Sequence, residues 1–185
     1  MNGGESLKIR ILKTSRDKDF VQPLLSVPDG SDVFIDANIF IYGLTHQSPQ
    51  CLHLLERCSR EEVTGISLFE IVNEATHRFM LAEATSKGVI TKGGAAALRQ
   101  QFSEISHLID YWHNTERLLA LNLLFFSTDE RIVRNAQPER QSASVLTNDS
   151  MILSWMREYG LQRIATGDHD FERASGITVF GPDDI

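Results

Sequence analysis

Cysteine is scarce in this chain: the 185 residues hold two, Cys51 and Cys58. Seven residues apart on one predicted helix, they stand two turns apart along its axis, too far for a disulfide within it. No histidine pair accompanies them at zinc-finger spacing, which argues against a zinc site. A secretory signal is missing from Met1–Ile11, and with so few cysteines the expectation is a reducing cytoplasm. Long hydrophobic runs are missing too. The longest, Leu118–Phe126, is broken by Asn122 and is too short to span a membrane. Positive charge is also in deficit, with a formal net charge of −7. A protein that coats long nucleic acid through counterion release is usually basic, so that role is disfavoured. An enzyme whose metal ions supply the local positive charge is not excluded. The apolar share of 42% is that of an ordinary globular protein, and the length fits one domain with an extension.

Residues 1–31 form the expected extension, polar and locally basic through Lys8, Arg10, Lys13, Arg16 and Lys18. Within it Leu7–Ile11 alternates at period two, an edge-strand pattern. Residues 32–185 form the expected main domain. Val33-Phe34-Ile35 reads as a strand buried on both faces, followed by Asp36 and a short helix over Ile39–Leu44. Ser48-Pro49 caps a helix running to about Ser59. Val63–Ile66 is a second strand, and Ser67-Leu68-Phe69-Glu70 has the spacing of a capping box that opens a helix to about Ala84.

Leu98, Phe102, Ile105, Leu108, Ile109 and Trp112 form one apolar stripe and predict a long helix over Ala95–Arg117, suited to core or to a dimer face. Ser127-x-x-Glu130 repeats the capping-box spacing, and Pro138 is expected to end the helix that follows. Gln137–Ser144 reads as a loop, and Thr147-Asn148-Asp149 opens a helix that Gly160 stops. Leu161–Ala165 and Ile177–Phe180 complete a series of strands alternating with helices. That alternation predicts an α/β fold with a mainly parallel sheet, and no internal repeat is evident.

Four carboxylates share one kind of position. Asp36 and Asp168 end strands, while Glu70 and Asp149 lie in first helical turns. Each has a plain structural use as helix cap, dipole partner or turn residue. In a parallel sheet, however, all four positions fall at one edge. Converging carboxylates repel one another unless a cation sits among them. Hard oxygen donors without thiolates or paired imidazoles suit Mg²⁺ or Mn²⁺. A divalent ion so held activates water and neutralises charge developing on phosphorus, which points to phosphodiester hydrolysis. Glu74, one turn after Glu70, reads as a solvated helix residue. His77, Arg78, His169, Lys87, Lys92, Arg131, Arg134 and Arg140 are left outside the predicted site.

Taken in order, Asp36-Ala37-Asn38, Ser67-x-x-Glu70, Thr147-Asn148-Asp149 and Thr166-Gly167-Asp168-His169-Asp170-Phe171 resemble the PIN domain, and within it the VapC-type toxin ribonucleases, over roughly Asp32 to Phe180. The resemblance implies a three-layer α/β/α sandwich and a Mg²⁺- or Mn²⁺-dependent endoribonuclease. It implies Asp36, Glu70, Asp149 and Asp168 as the catalytic, metal-holding acids. Asn38 would brace the first aspartate, Thr166 would supply a hydroxyl beside the last, and Asp170 would be a further acid. It also implies a homodimer and a cognate antitoxin that occupies the active-site groove. Two departures stand against the compact pattern: the basic arm, and the long stretch between Glu70 and Asp149. They keep open a stand-alone PIN ribonuclease without antitoxin, alongside a non-cleaving PIN-fold module that binds RNA or protein. A phosphoryl-acceptor receiver domain fits poorly, because a lone Asp36 follows the first strand and Leu161–Thr166 contains no lysine.

Overall fold

Val33, Phe34 and Ile35 have no solvent exposure, which a strand achieves only in a sheet covered on both faces. The structure, a computed structural model, describes residues 21–91 and 94–185. The expected strand Leu7–Ile11, the basic residues from Lys8 to Lys18, and Lys92 lie outside the described residues. The strands are β1 (Gln22–Pro23), β2 (Asp32–Ile35), β3 (Thr64–Leu68), β4 (Leu124–Phe126), β5 (Arg163–Ala165) and β6 (Thr178–Gly181). The helices are α1 (Ala37–Leu44), α2 (Pro49–Ser59), α3 (Phe69–Ser86), α4 (Ala95–Arg99), α5 (Phe102–Ile105), α6 (Asp110–Leu119), α7 (Glu130–Ala143) and α8 (Thr147–Glu158). Short 3₁₀ turns cover Leu24–Ser26 and His169–Arg173.

The strands form one sheet in the order β1-β6-β5-β2-β3-β4, and every pairing is parallel. Phe34 lies opposite Ile66 on one side and Ile164 on the other. Helices flank the sheet in a three-layer α/β/α sandwich, with α1 packed on α2 and α3, α3 on α6, and α7 on α8. Leu24 and Val27, which follow β1, are buried in the main core with Phe34, Phe40, Phe79 and Phe171. The chain leaves β2 for β3 on one side and later returns to β5 on the other. That reversal opens a crevice at the carboxyl ends of β2 and β5.

Three local expectations change. The apolar stripe from Leu98 to Trp112 is not one helix but three, α4, α5 and α6. Only Leu98 and Leu108 of it are buried, in a small second core with Ala84 and Ile90, whereas Phe102, Ile109 and Trp112 are exposed. The break has a chemical cause. The Glu83 carboxylate accepts from Ile109 N and Tyr111 N, both at 2.8 Å, and pairs with Lys87. Donors at the start of α6 are thus satisfied by α3, as at a helix N-terminus.

Pro138 does not end α7, which continues to Ala143, so Gln137–Ala143 is helix and not loop. The ring removes one ladder donor, but Ile132, Ala136 and Ala143 are buried, and Glu139 accepts from Arg157 Nε of α8 at 2.6 Å. Tertiary packing outweighs the local penalty. Neither capping box forms. Ser67 lies within β3 and its Oγ donates to Ile35 O at 2.8 Å, while α7 is capped by Asp129, which accepts from Ile132 N at 2.9 Å.

Burial pushes the Glu83 carboxyl up, but Lys87 and the α6 amides outweigh it and hold the group down at about 2. A depressed carboxyl stabilises the fold fully above its unfolded value of 4.5 and loses that contribution as pH falls towards 2. Glu83→Ala, which strands two backbone donors, is expected to cost about 2–4 kcal/mol in urea unfolding. Glu83→Gln should flatten the acid limb of the stability curve between those pH values, and an unaltered acid limb would refute the assignment.

Candidate functional site

Asp36 follows the last residue of β2 and caps α1. Its Oδ1 accepts from Ala37 N at 2.7 Å, and its Oδ2 accepts from Asn38 Nδ2 and Thr166 Oγ1, each at 2.7 Å. The two readings of this residue are therefore compatible: one carboxylate caps a helix and faces a cleft. At 8% exposure it has little water. Burial pushes its carboxyl up to about 6 against the pull of Thr166 and Ala37, with Glu74 and Asp149 adding repulsion.

The same donors organise the next strand end. Gly167 N donates to Asn38 Oδ1 at 2.8 Å, and Asp168 N donates to Thr166 Oγ1 at 3.0 Å. Asp168 Oδ1 in turn accepts from Asp170 N at 2.8 Å, the turn geometry expected of such an acid. Asn38 and Thr166 thus hold Asp36 and fix the loop that carries Asp168.

An open cleft of about 730 Å³ runs between α1, α3, the start of α8 and the loop after β5. Asp36, Glu74, Asp149 and Asp168 all line it. Carboxylate oxygens of Asp149, Asp168 and Asp170 lie within 4.8 Å of one another, close enough to share a cation. Asp149 is raised by its burial first and then by the Asp168 charge. Asp170 also pairs with Arg173 at 3.0 Å. An all-oxygen carboxylate cluster in which the Asp149 carboxyl is raised fits a hard divalent ion of the Mg²⁺ or Mn²⁺ kind.

Glu70 does not line this cleft. Its Oε1 accepts from Thr128 N at 3.0 Å and from Thr128 Oγ1 at 2.5 Å, tying α3 to the segment after β4. Burial raises its carboxyl, but the Thr128 bonds outweigh this and leave it below its ordinary value. It faces a small recess of about 20 Å³ beside Met151 and Thr128, which shares Glu74, Asn148 and Ile152 with the cleft. Glu74, read from sequence as solvated, takes the cleft position and accepts from Asn148 Nδ2 at 3.3 Å. No local signal separates the two: both lie on α3 four residues apart, and long-range partners, Thr128 for Glu70 and Asn148 for Glu74, distinguish them.

The family model described as "PIN domain" matches residues 33–177. Among solved structures, VapBC2 of Rickettsia felis, bound to a DNA fragment from their promoter, is similar in fold: TM-score 0.54, 12% identity, 81% of this chain and 98% of that one. A toxin–antitoxin complex from Klebsiella pneumoniae is similar at TM-score 0.50 and 16% identity, over 80% of this chain and 96% of that one. No curated protein sequence matches the chain.

Because the Asp36 carboxyl is raised from 3.8 to about 6, ionising it costs the metal-free fold stability as pH rises through that interval, by up to about 3 kcal/mol. A cation in the cluster relieves this penalty, whereas a proton on Asp36 competes with it. Mn²⁺ or Mg²⁺ is therefore expected to raise Tm more near pH 7.5 than near pH 5 in thermal scans, with Asp149→Asn suppressing the shift. A cation effect equal at both pH values would contradict this placement.

Proposed function

The chain belongs to the PIN domain family, and from that premise we propose that it is a metal-dependent endoribonuclease, the toxin of a toxin–antitoxin pair. One observation carries the reading: carboxylates from four separate segments, Asp36, Glu74, Asp149 and Asp168, face one cleft at the carboxyl edge of a parallel sheet. A purely structural use of four acids would not gather their like charges on one cleft, where burial and neighbouring carboxylates raise Asp36 and Asp149. Family membership supports a nuclease, and the toxin–antitoxin complexes among the similar structures support the partner. We place residues 32–185 as the nuclease domain, acting in the cytoplasm, with β1, Leu24 and Val27 before it completing its sheet and core.

The cation would be held by Asp149, Asp168 and Asp170, with Asp36 and Glu74 lining the same cleft. When bound, Mg²⁺ or Mn²⁺ would lower the pKa of water and neutralise charge on the phosphoryl oxygens. The protein's own contribution is positional. Asn38, Thr166 and Ala37 N fix both Asp36 oxygens so that the carboxylate does not reorganise when substrate arrives. Asn148 orients Glu74 from across the cleft. Water attacks phosphorus in line, the 3′ oxygen leaves, and the products carry a 5′-phosphate and a 3′-hydroxyl. Exposed Phe102, Ile109 and Trp112 on α5–α6 support an apolar contact surface for a homodimer or for the antitoxin.

Asp36→Asn is expected to abolish cleavage of single-stranded RNA under single-turnover conditions while the fold survives. EDTA should stop the wild type and added Mn²⁺ should restore it; an EDTA-resistant activity would mean another chemistry. Glu74→Gln should lose at least about a hundredfold in rate. Glu70→Gln should mainly lower thermal stability and retain cleavage; the reverse ranking would return Glu70 to the site.

A further inference from the structure

Arg78 lies one turn beyond Glu74 on α3, about 6 Å further along the helix axis. It is the only arginine or lysine among the described residues lining the cleft. A glutamate four residues before an arginine normally attracts it into an ion pair. Yet among the described residues no carboxylate lies within 4.0 Å of the Arg78 guanidinium, and of the described arginines without such a partner it alone lines the cleft. Its charge is therefore available to an anion in the cleft.

Across the cleft, Tyr42 of α1 is half-buried and adjoins the loop that carries Asp168: a Cβ at Gly167 would lie 3.7 Å from the ring carbon Cε2. Its backbone carbonyl accepts from Gln47 N and Ser48 N, which anchors the end of α1. At the mouth, Leu146 precedes α8 with 75% of its surface exposed, though it lines the same cleft. The cleft lining thus combines the four acids with one guanidinium, one tyrosine ring and one exposed leucine. A cation and an apolar ring lining one cleft match an unpaired nucleotide, an anionic phosphate joined to a flat apolar base. A base in a duplex is already stacked and paired, so the cleft suits single-stranded RNA.

We propose that Arg78 and Tyr42 form a nucleotide subsite beside the acidic centre. Arg78 takes the phosphate adjacent to the one that is cut, and Tyr42, with Leu146, takes the attached base by stacking. The inference rests on the nuclease reading and extends it to substrate positioning. With a net charge of −7 the protein repels a polyanion at long range. A local guanidinium one helical turn from the carboxylates offsets that repulsion where the strand must enter. Neither residue is assigned a part in bond cleavage.

The test uses a short, mixed-sequence single-stranded RNA bearing a fluorophore, with binding read in the Asp36→Asn background in Mg²⁺ and cleavage read in the otherwise native protein. Arg78→Ala should weaken binding about tenfold and make the slope of log K against log salt shallower by about 0.7, the contribution of one phosphate contact to a single strand. Arg78→Lys should keep the slope. Tyr42→Ala should weaken binding about tenfold, Tyr42→Phe should not, and the Tyr42→Ala defect should vanish on RNA with an abasic nucleotide next to the cut. In cleavage, KM should rise in both alanine variants while kcat stays within about threefold.

An unchanged salt slope in Arg78→Ala, or a Tyr42→Ala defect that persists on abasic RNA, overturns the subsite. If the wild type cuts RNA and the variants cut with the same KM, the subsite alone falls. If the wild type neither binds nor cuts RNA with any divalent ion, the nuclease reading falls and the subsite with it.

Discussion

Asp36 is a carboxylate with 8% exposure at the end of a strand whose three preceding residues have none. It can remain there because Ala37 N, Asn38 Nδ2 and Thr166 Oγ1 each reach it at 2.7 Å. Loss of any of these donors would leave a buried charge partly unsatisfied, a costly state in a medium of low polarity. The network does more than solvate one group. Asn38 also accepts from Gly167 N, Thr166 also accepts from Asp168 N, and Thr166 N bonds Phe180 O of β6. The bonds that keep Asp36 in place therefore set the position of Asp168, two strand ends that are adjacent in space and far apart in the chain.

Parallel topology supplies the rest of the geometry. With every strand running the same way, the turns after β2, β3 and β5 open at one edge, and α8 delivers Asp149 to that edge from its first turn. Such a site is unfavourable for bare carboxylates: burial first, and neighbouring acids second, raise Asp36 and Asp149. The cleft therefore favours positive charge, and Arg78 is the one arginine or lysine among its described lining residues. Glu83 shows the opposite treatment of a buried acid. Its lysine and amide partners pull it down to about 2 and turn it into a structural joint between α3 and α6.

Much of this was legible in the residues. The apolar run into Asp36, the Ser48-Pro49 start of α2, the Thr147 start of α8 and the strand before Thr166 each carry a local signal, and the observed elements follow them closely. The misread stretches share a physical cause. Pro138 is a local helix breaker, but α7 gains more from packing on α8 than it loses at one donor. Ser67-x-x-Glu70 has capping-box spacing, yet Ser67 finds Ile35 O across the sheet and Glu70 finds Thr128, 58 residues away. The stripe from Leu98 to Trp112 has helical period but is interrupted because the Glu83 carboxylate supplies a competing acceptor.

By itself the sequence determined the α/β alternation, the parallel sheet and three of the cleft acids, Asp36, Asp149 and Asp168. These depend on short-range features: burial on both faces of a strand, turn residues and helix starts. Only the tertiary structure shows that Glu74 and not Glu70 lines the cleft, because both lie on one helix and on nearly the same side. The choice rests on which partner each meets, Thr128 after β4 or Asn148 at the head of α8. The same holds for Arg78 and Tyr42. Nothing local distinguishes them from surface residues until α1 and α3 pack side by side and turn them into one cleft.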